Sequence, residues 1–216
     1  MTRVPALILI VASLTCGTVF AQAAMAWQKT PMIVAVGQEA DARFELVDEA
    51  VAYWNRSLEE IGSALRLPVP KRLVLPVPDQ ALVAMSRNLM RGEWSAEVPQ
   101  ELKDLPGDLT VFLANAEFIS FAGPFIAPDK RIVGIRSTDR PPLNLPNVAP
   151  NLIAHELGHA IGLGHNADPA MLMCGRPAPC RPDGYRSEVP RMFPLTDDDR
   201  QQLLRMYPPD WKPEAR

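Results

Sequence analysis

The chain has 216 residues, 47% hydrophobic and 22% charged, with a formal net charge of -3. That is the make-up of one globular domain with a sizeable core, and it excludes a disordered chain and a repeat array. No run of lysine and arginine stands out, so nothing recommends a nucleic-acid partner. The one outlier is proline, with 23 residues against an average of about 5%, which predicts long, stiffened connections.

Residues 1–26 read as an export signal. Arg3 supplies the positive start and Val4 to Phe20 the apolar core. Ala21-Gln22-Ala23 or Ala24-Met25-Ala26 then offers a small-x-small cleavage site. The mature protein would begin at Ala24 or Trp27 as a single domain over 27–216, secreted or periplasmic and without stable membrane association. An uncleaved anchor is the alternative, although the apolar run is at the short end for a membrane span. Cys16 lies in the signal core and would be discarded with it, because Ser13-Leu14-Thr15 makes a poor lipoprotein signal.

Met32 to Val36 is a short apolar run bounded by Pro31 and Gly37, suited to a buried strand. Phe44, Val47, Val51, Trp54, Leu58, Ile61 and Leu65 follow at alternating spacings of three and four, which predicts a long amphipathic helix. Arg72 to Val77 reads as a strand with Pro76 near its edge. Ala81 to Met90 fits either a short helix or an amphipathic strand, while Trp94 and Val98 suggest packing without fixing a period. Leu109 to Leu113 and Phe118 to Phe121 are further strands, and Arg131 to Arg136 alternates well enough for a half-exposed strand at a sheet edge.

After the proline-rich stretch Pro141 to Pro146, a helix starts between Asn147 and Asn151. Either Asn147 caps it, or Ala149 precedes Pro150 at the first helical position. On it lies His155-Glu156-Leu157-Gly158-His159-Ala160-Ile161-Gly162-Leu163-Gly164-His165, which holds every histidine of the protein. Residues four apart share a helix face, so His155 and His159 can meet one metal ion. Glu156 is rotated by about 100° and stands beside that ion. Gly162 can adopt a left-handed conformation, end the helix and bring His165 round as third ligand. Three nitrogen donors with a fourth position left to water describe a catalytic zinc site.

With the signal removed, Cys174 and Cys180 remain, separated by Gly175-Arg176-Pro177-Ala178-Pro179. In an exported chain this predicts one disulfide, with a free metal-seeking thiol as the alternative. Thr196 precedes Asp197-Asp198-Asp199 as the N-cap of a last helix, Asp199 stands at the capping-box position, and Pro208-Pro209 stops it.

The histidine stretch matches H-E-x-x-H-x-x-G-x-x-H, and in it the chain resembles the metzincin zinc metalloproteases, the matrixin branch above all. Met171-Leu172-Met173 supports this, with Met173 matching the turn methionine that packs beneath the zinc, as does the Leu195-Thr196 to Tyr207-Pro208 segment. The specific matches cover about the last third of the mature chain. Asn166 stands where matrixins usually carry serine, and no histidine is left for a second, structural zinc. No dense acidic calcium loop is evident. The resemblance implies an α+β fold: a twisted mixed β-sheet with two long helices above a cleft, an upper part to about 162, and a small lower part, 163–216, with one helix. It implies a monomeric endopeptidase with one catalytic Zn2+, acting on protein or peptide, with Glu156 as general base. In metzincins the edge strand above the cleft pairs with substrate; by chain position Ile132, Val133, Gly134, Ile135 and Arg136 would take that place. Two rival readings are a zinc amidase acting on cell-wall peptide, and a catalytically silent zinc-bearing binding protein in which Cys174 or Cys180 fills the open site.

Overall fold

A computed structural model describes residues 26–93, 97–123, 129–175, 179–180, 187 and 189–215. Residues 1–25 of the segment read from the sequence as an export signal, Trp94 and residues 176–178 of the cysteine loop lie outside the described residues. Among the described residues, no helix is long and apolar enough to cross a membrane.

Five strands form one sheet: β1 (Ile33–Gly37), β2 (Lys71–Val74), β3 (Leu109–Leu113), β4 (Phe121–Ala122) and β5 (Arg131–Ile135). Their order is β2-β1-β3-β5-β4. The first four in that order run parallel, and β4 is antiparallel to β5. β1, β3 and β5 are buried along their whole length, as parallel strands covered on both faces must be. Side chains alternate between those faces. Ile33, Ala35, Leu109, Val111, Val133 and Ile135 face one core; Val34, Val36, Phe112 and Ile132 face the other.

The first core is closed by two helices. The 18-residue α1 (Arg43–Glu60) presents Val47, Trp54 and Leu58 to it, the stripe its spacing predicts. The second face is closed by α2 (Asp79–Met90) through Leu82, Met85 and Leu89, followed by the short α3 (Gln100–Lys103). Residues 81–90 are therefore helical: an edge strand there would leave Val36, Phe112 and Ile132 uncovered. The helix carrying the histidines is α4 (Ala149–Ala160), packed beside α1 on the first face. The last, α5 (Asp197–Met206), has the expected capping box, with Asp199 N–H donating to Thr196 Oγ1 and Thr196 N–H to Asp199 Oδ2.

One expectation is corrected. Ile132, Val133, Gly134, Ile135 and Arg136 do not form a sheet edge, because β5 lies between β3 and β4. The polar residue that made the pattern look alternating, Arg131, is buried. Its guanidinium lies 3.9 Å over the Trp27 ring and donates to the Ala160 carbonyl at the end of α4. Gly134, opposite Phe121, leaves the space that β4 needs: a Cβ there would stand 2.7 Å from the Phe121 ring.

Trp27 ties the first described residues to the end of α4. Its indole Nε1 donates to the Ala160 carbonyl at 3.0 Å and its main-chain N–H to the Tyr207 hydroxyl, which donates in turn to the Ile161 carbonyl. Trp27→Ala removes the ring, an indole donor and the stacking surface of Arg131. We expect a loss of about 3–5 kcal/mol, read from denaturant unfolding; a loss below about 1 kcal/mol would show this corner to be peripheral.

Candidate metal centre

Helix α4 begins without a side-chain cap, with Pro150 in its first turn. Asn147, one of the two sequence candidates for the cap, is occupied elsewhere. Its amide donates to the carbonyls of Ser187 and Val189 and accepts from Arg191 N–H. One turn on, Asn151 donates to the Asn147 and Arg191 carbonyls and accepts from Phe193 N–H. Asn147, just before the helix, and Asn151, His155 and His159 on it thus recur every fourth residue, the first two bonded to the main chain of Ser187, Val189, Arg191 and Phe193 and the last two facing the centre.

The helix ends as expected at Gly162, with φ +110°. Gly162 N–H donates to the His159 carbonyl and Leu163 N–H to the Gly158 carbonyl, closing the turn. That turn aims the Leu163 carbonyl back at His159 Nδ1, 2.8 Å away. His155 Nδ1 meets the Leu172 carbonyl at 2.7 Å. A carbonyl can only accept, so both Nδ1 atoms carry hydrogen and both Nε2 atoms present lone pairs. His165 is brought round on the far side of Gly162, and the Gly175 main chain packs on its ring: a Cβ on Gly175 would fall 2.1 Å from His165 Cγ.

The three Nε2 atoms converge, at 3.0 Å for His155 and His159, 3.0 Å for His159 and His165, and 3.2 Å for His155 and His165. His155 and His159 bring two acceptor Nε2 atoms to 3.0 Å of one another, a repulsive approach that a cation between them and His165 would relieve. Three donors at about 2.0–2.1 Å in tetrahedral directions stand about 3.3 Å apart, so the spacing fits zinc. His155 is buried, His159 half-buried and His165 exposed, which leaves one side of the centre open. Among the described residues no carboxylate or thiolate joins this group.

Glu156 sits on the same helix turn. Burial pushes its carboxyl up to about 8 and pushes His159 down to about 4, which keeps that ring neutral and ready to ligate. A cation beside Glu156 would draw its carboxyl back toward the ionised form. Met173, fully buried, lies beneath the histidine helix against Gly158 and Trp54. Asn166, the departure from the matrixin pattern, has a place of its own. Its main chain bonds Met173 and Gly175, and its amide donates to Asp199 Oδ2, joining the third histidine to the cap of α5. Cys174 and Cys180 form the expected disulfide. Their sulfurs are joined to each other, so the rival reading in which one of them fills the open metal position does not hold.

The centre opens into a cleft of about 570 Å³. Its walls are largely apolar, with Met90, Ile119, Phe121, Val148 and Leu152 among them, and the disulfide stands on the side of His165. Residues 80–90, to which the sequence assigned no role, supply part of this wall. Ser86 Oγ both donates to the Ile119 carbonyl and accepts from Ile119 N–H, pinning the approach to β4.

Fold and site together place three histidines that could hold a metal ion at the foot of a cleft between a helix and a sheet edge. No protein-family model matches the chain, and no curated protein matches it. Among solved structures the chain is similar to the archaemetzincin of Methanopyrus kandleri, at 20% identity, with 81% of this chain and 94% of that chain covered and a TM-score of 0.45.

Two predictions follow from this packing and burial. Gly158→Ala gains up to about 1 kcal/mol of helix propensity, but its Cβ would meet Met173 Sδ at 2.5 Å and the rigid Trp54 ring at 2.8 Å. Overpacking costs about 1–3 kcal/mol, so thermal unfolding should show a net loss. The second concerns pH. In the metal-free protein Glu156 holds its proton up to about pH 8, whereas the unfolded chain releases it near 4.5. Its contribution is intact below 4.5 and is lost as pH rises to about 8, by up to ~1.4 kcal/mol per pH unit. His159 acts in the opposite sense, its contribution falling away as pH drops from 6.5 toward 4. Unfolding of the metal-free protein at pH 5 to 8, compared with Glu156→Gln, isolates the first effect; identical profiles would refute it.

Proposed function

We propose that the protein is an exported zinc endopeptidase of the matrixin-like kind. The observation that carries this reading is the convergence of three histidine Nε2 atoms beside a buried glutamate in an open cleft. Zinc held there supplies a Lewis acid that lowers the pKa of a water to about 7 and polarises a carbonyl. His155, His159 and His165 hold it, their orientation fixed by the Leu172 and Leu163 carbonyls and the Gly175 main chain. Glu156 takes a proton from the attacking water and hands it to the leaving amine. Its depth in the protein favours this role, because a carboxylate stripped of solvent is a stronger base than an exposed one.

The strand edge suited to substrate is β4, not β5. Gly123 N–H donates to the Ile132 carbonyl, and Phe121 pairs with Gly134. By the alternation of an antiparallel ladder, the main chain of Ala122 then faces outward, along the cleft. A peptide added there would extend the sheet over the metal. Export rests on the signal-like residues 1–26 and agrees with the presence of a disulfide.

The test is a pair of variants assayed on a peptide library, with metal content measured in parallel. Glu156→Ala should keep one zinc per chain and lose at least about 10²-fold in peptide cleavage, whereas His159→Ala should lose both. A Glu156→Ala protein that turns over normally would sink the mechanism.

A further inference from the structure

Apart from the histidines, the described residues lining the cleft include two charged side chains, Glu156 at the metal and Arg136 on the strand side. The mechanism uses the first and leaves the second unexplained. Arg136 directly follows β5, and its main chain is held from both directions. Its N–H donates to Ser120 Oγ at 3.1 Å, and its carbonyl accepts from Arg43 Nη1 at 3.0 Å. Arg43 is itself buried and paired with Asp41. The guanidinium therefore starts from a rigid base beside the first residues of the β4 edge.

Its donors are only partly used. Nη2 pairs with Glu117, whose side chain is half-exposed, while Nε is buried without a hydrogen-bond partner. A guanidinium offers its N–H groups as a planar fork that matches the two oxygens of a carboxylate. Here the fork is half engaged, by a side chain that water also solvates. An exposed ion pair of this kind is weak. A carboxylate carried into the cleft by a bound peptide is shielded from water and can displace it.

We propose that Arg136 selects peptides carrying a carboxylate close to the scissile bond, with Glu117 as the internal competitor that occupies the guanidinium when the cleft is empty. The position follows from the strand edge: a peptide paired along Ser120 to Ala122 passes the residue that Ser120 Oγ holds. The carboxylate can come from an internal aspartate or glutamate or from the peptide's own C-terminus. As a statement about cleavage the proposal rests on the peptidase reading; as a statement about binding it does not.

The experiment uses quenched peptides in pairs that differ only by Glu against Gln at each position flanking the cleaved bond, with the C-terminus amidated in one arm and free in the other. For the zinc-loaded protein we expect a preference in kcat/KM of about tenfold for the carboxylate at one position, carried mainly by KM. The arm in which it appears identifies the source. Arg136→Gln should bring the ratio toward one, Arg136→Lys should keep part of it, Glu117→Gln should raise it, and salt at about 0.5 M should lower it. Should Arg136→Gln fail to fold, the direction of the ratio in Glu117→Gln decides. In parallel, labelled peptides of each pair are titrated onto zinc-loaded Glu156→Ala and followed by anisotropy. If nothing is cleaved by the unaltered protein but the carboxylate peptide binds more tightly through Arg136, the peptidase reading falls and this proposal stands. Equal kcat/KM and equal binding within every pair, or a preference that survives Arg136→Gln, overturns it.

Discussion

Three imidazole Nε2 atoms converge on one point, two of them as lone pairs that repel one another, and the architecture around them keeps the rings from turning away. The Leu163 carbonyl holds His159, the Leu172 carbonyl holds His155, and the Gly175 main chain lies against His165. Each hydrogen bond is worth only about 1 kcal/mol net, so the restraint comes from where the carbonyls are built. One belongs to the turn that ends the helix, the other to the segment that carries Met173. The orientation of the rings is thus built into the fold, and a cation bound among them would add stability by mass action.

Around this restraint the lower part of the protein is wired to one helix stripe. Asn151, His155 and His159 span about 12 Å along α4, and Asn147 stands at the same spacing just before the helix. The upper two, Asn147 and Asn151, bond the main chain of Ser187, Val189, Arg191 and Phe193, and the lower two face the candidate metal centre. The circuit closes through the chain: Asn151 accepts from Phe193 N–H, the next carbonyl, Pro194, accepts from Leu172 N–H, and Leu172 orients His155. Tyr53 on α1 adds a bond to the Phe193 carbonyl. A change in the seating of that segment therefore reaches the metal ligands through main-chain bonds, without a flexible side chain in between.

The centre was legible in the sequence because its chemistry tolerates few residue types at few spacings. Two histidines a helical turn apart, a glycine to reverse the chain and a third histidine leave little choice, and the Thr196 cap is equally local. The position of β5 was not legible. The burial of Arg131 depends on Trp27, far away in sequence, and a period of two within five residues cannot announce such a partner. Helix α2 was ambiguous locally, yet a global clue existed: β1 and β3 are apolar at consecutive positions, so both sheet faces needed cover. The asparagine clamp had a signal too, since Asn147 and Asn151 continue the spacing of His155 and His159 backwards. The arginine in the cleft was named only as the last residue of a substrate strand; the partners of its guanidinium had no signal, because only the register of β4 on β5 brings Ser120 and Glu117 beside it.

The corner where Trp27 meets Tyr207 bears on how such a chain is completed. The same corner joins Glu214 N–H to the Gln28 carbonyl. The carbonyls of Ala160 and Ile161, just before the Gly162 turn, are therefore satisfied by residues from both extremes of the domain at once. A chain threaded end first through a ribosome or a translocation pore has Trp27 early and Tyr207 last. The turn that aims Leu163 at His159 gains its bond from Tyr207 only after the whole span from residue 27 to 207 has emerged, so the last support of the histidine helix forms well after the helix itself.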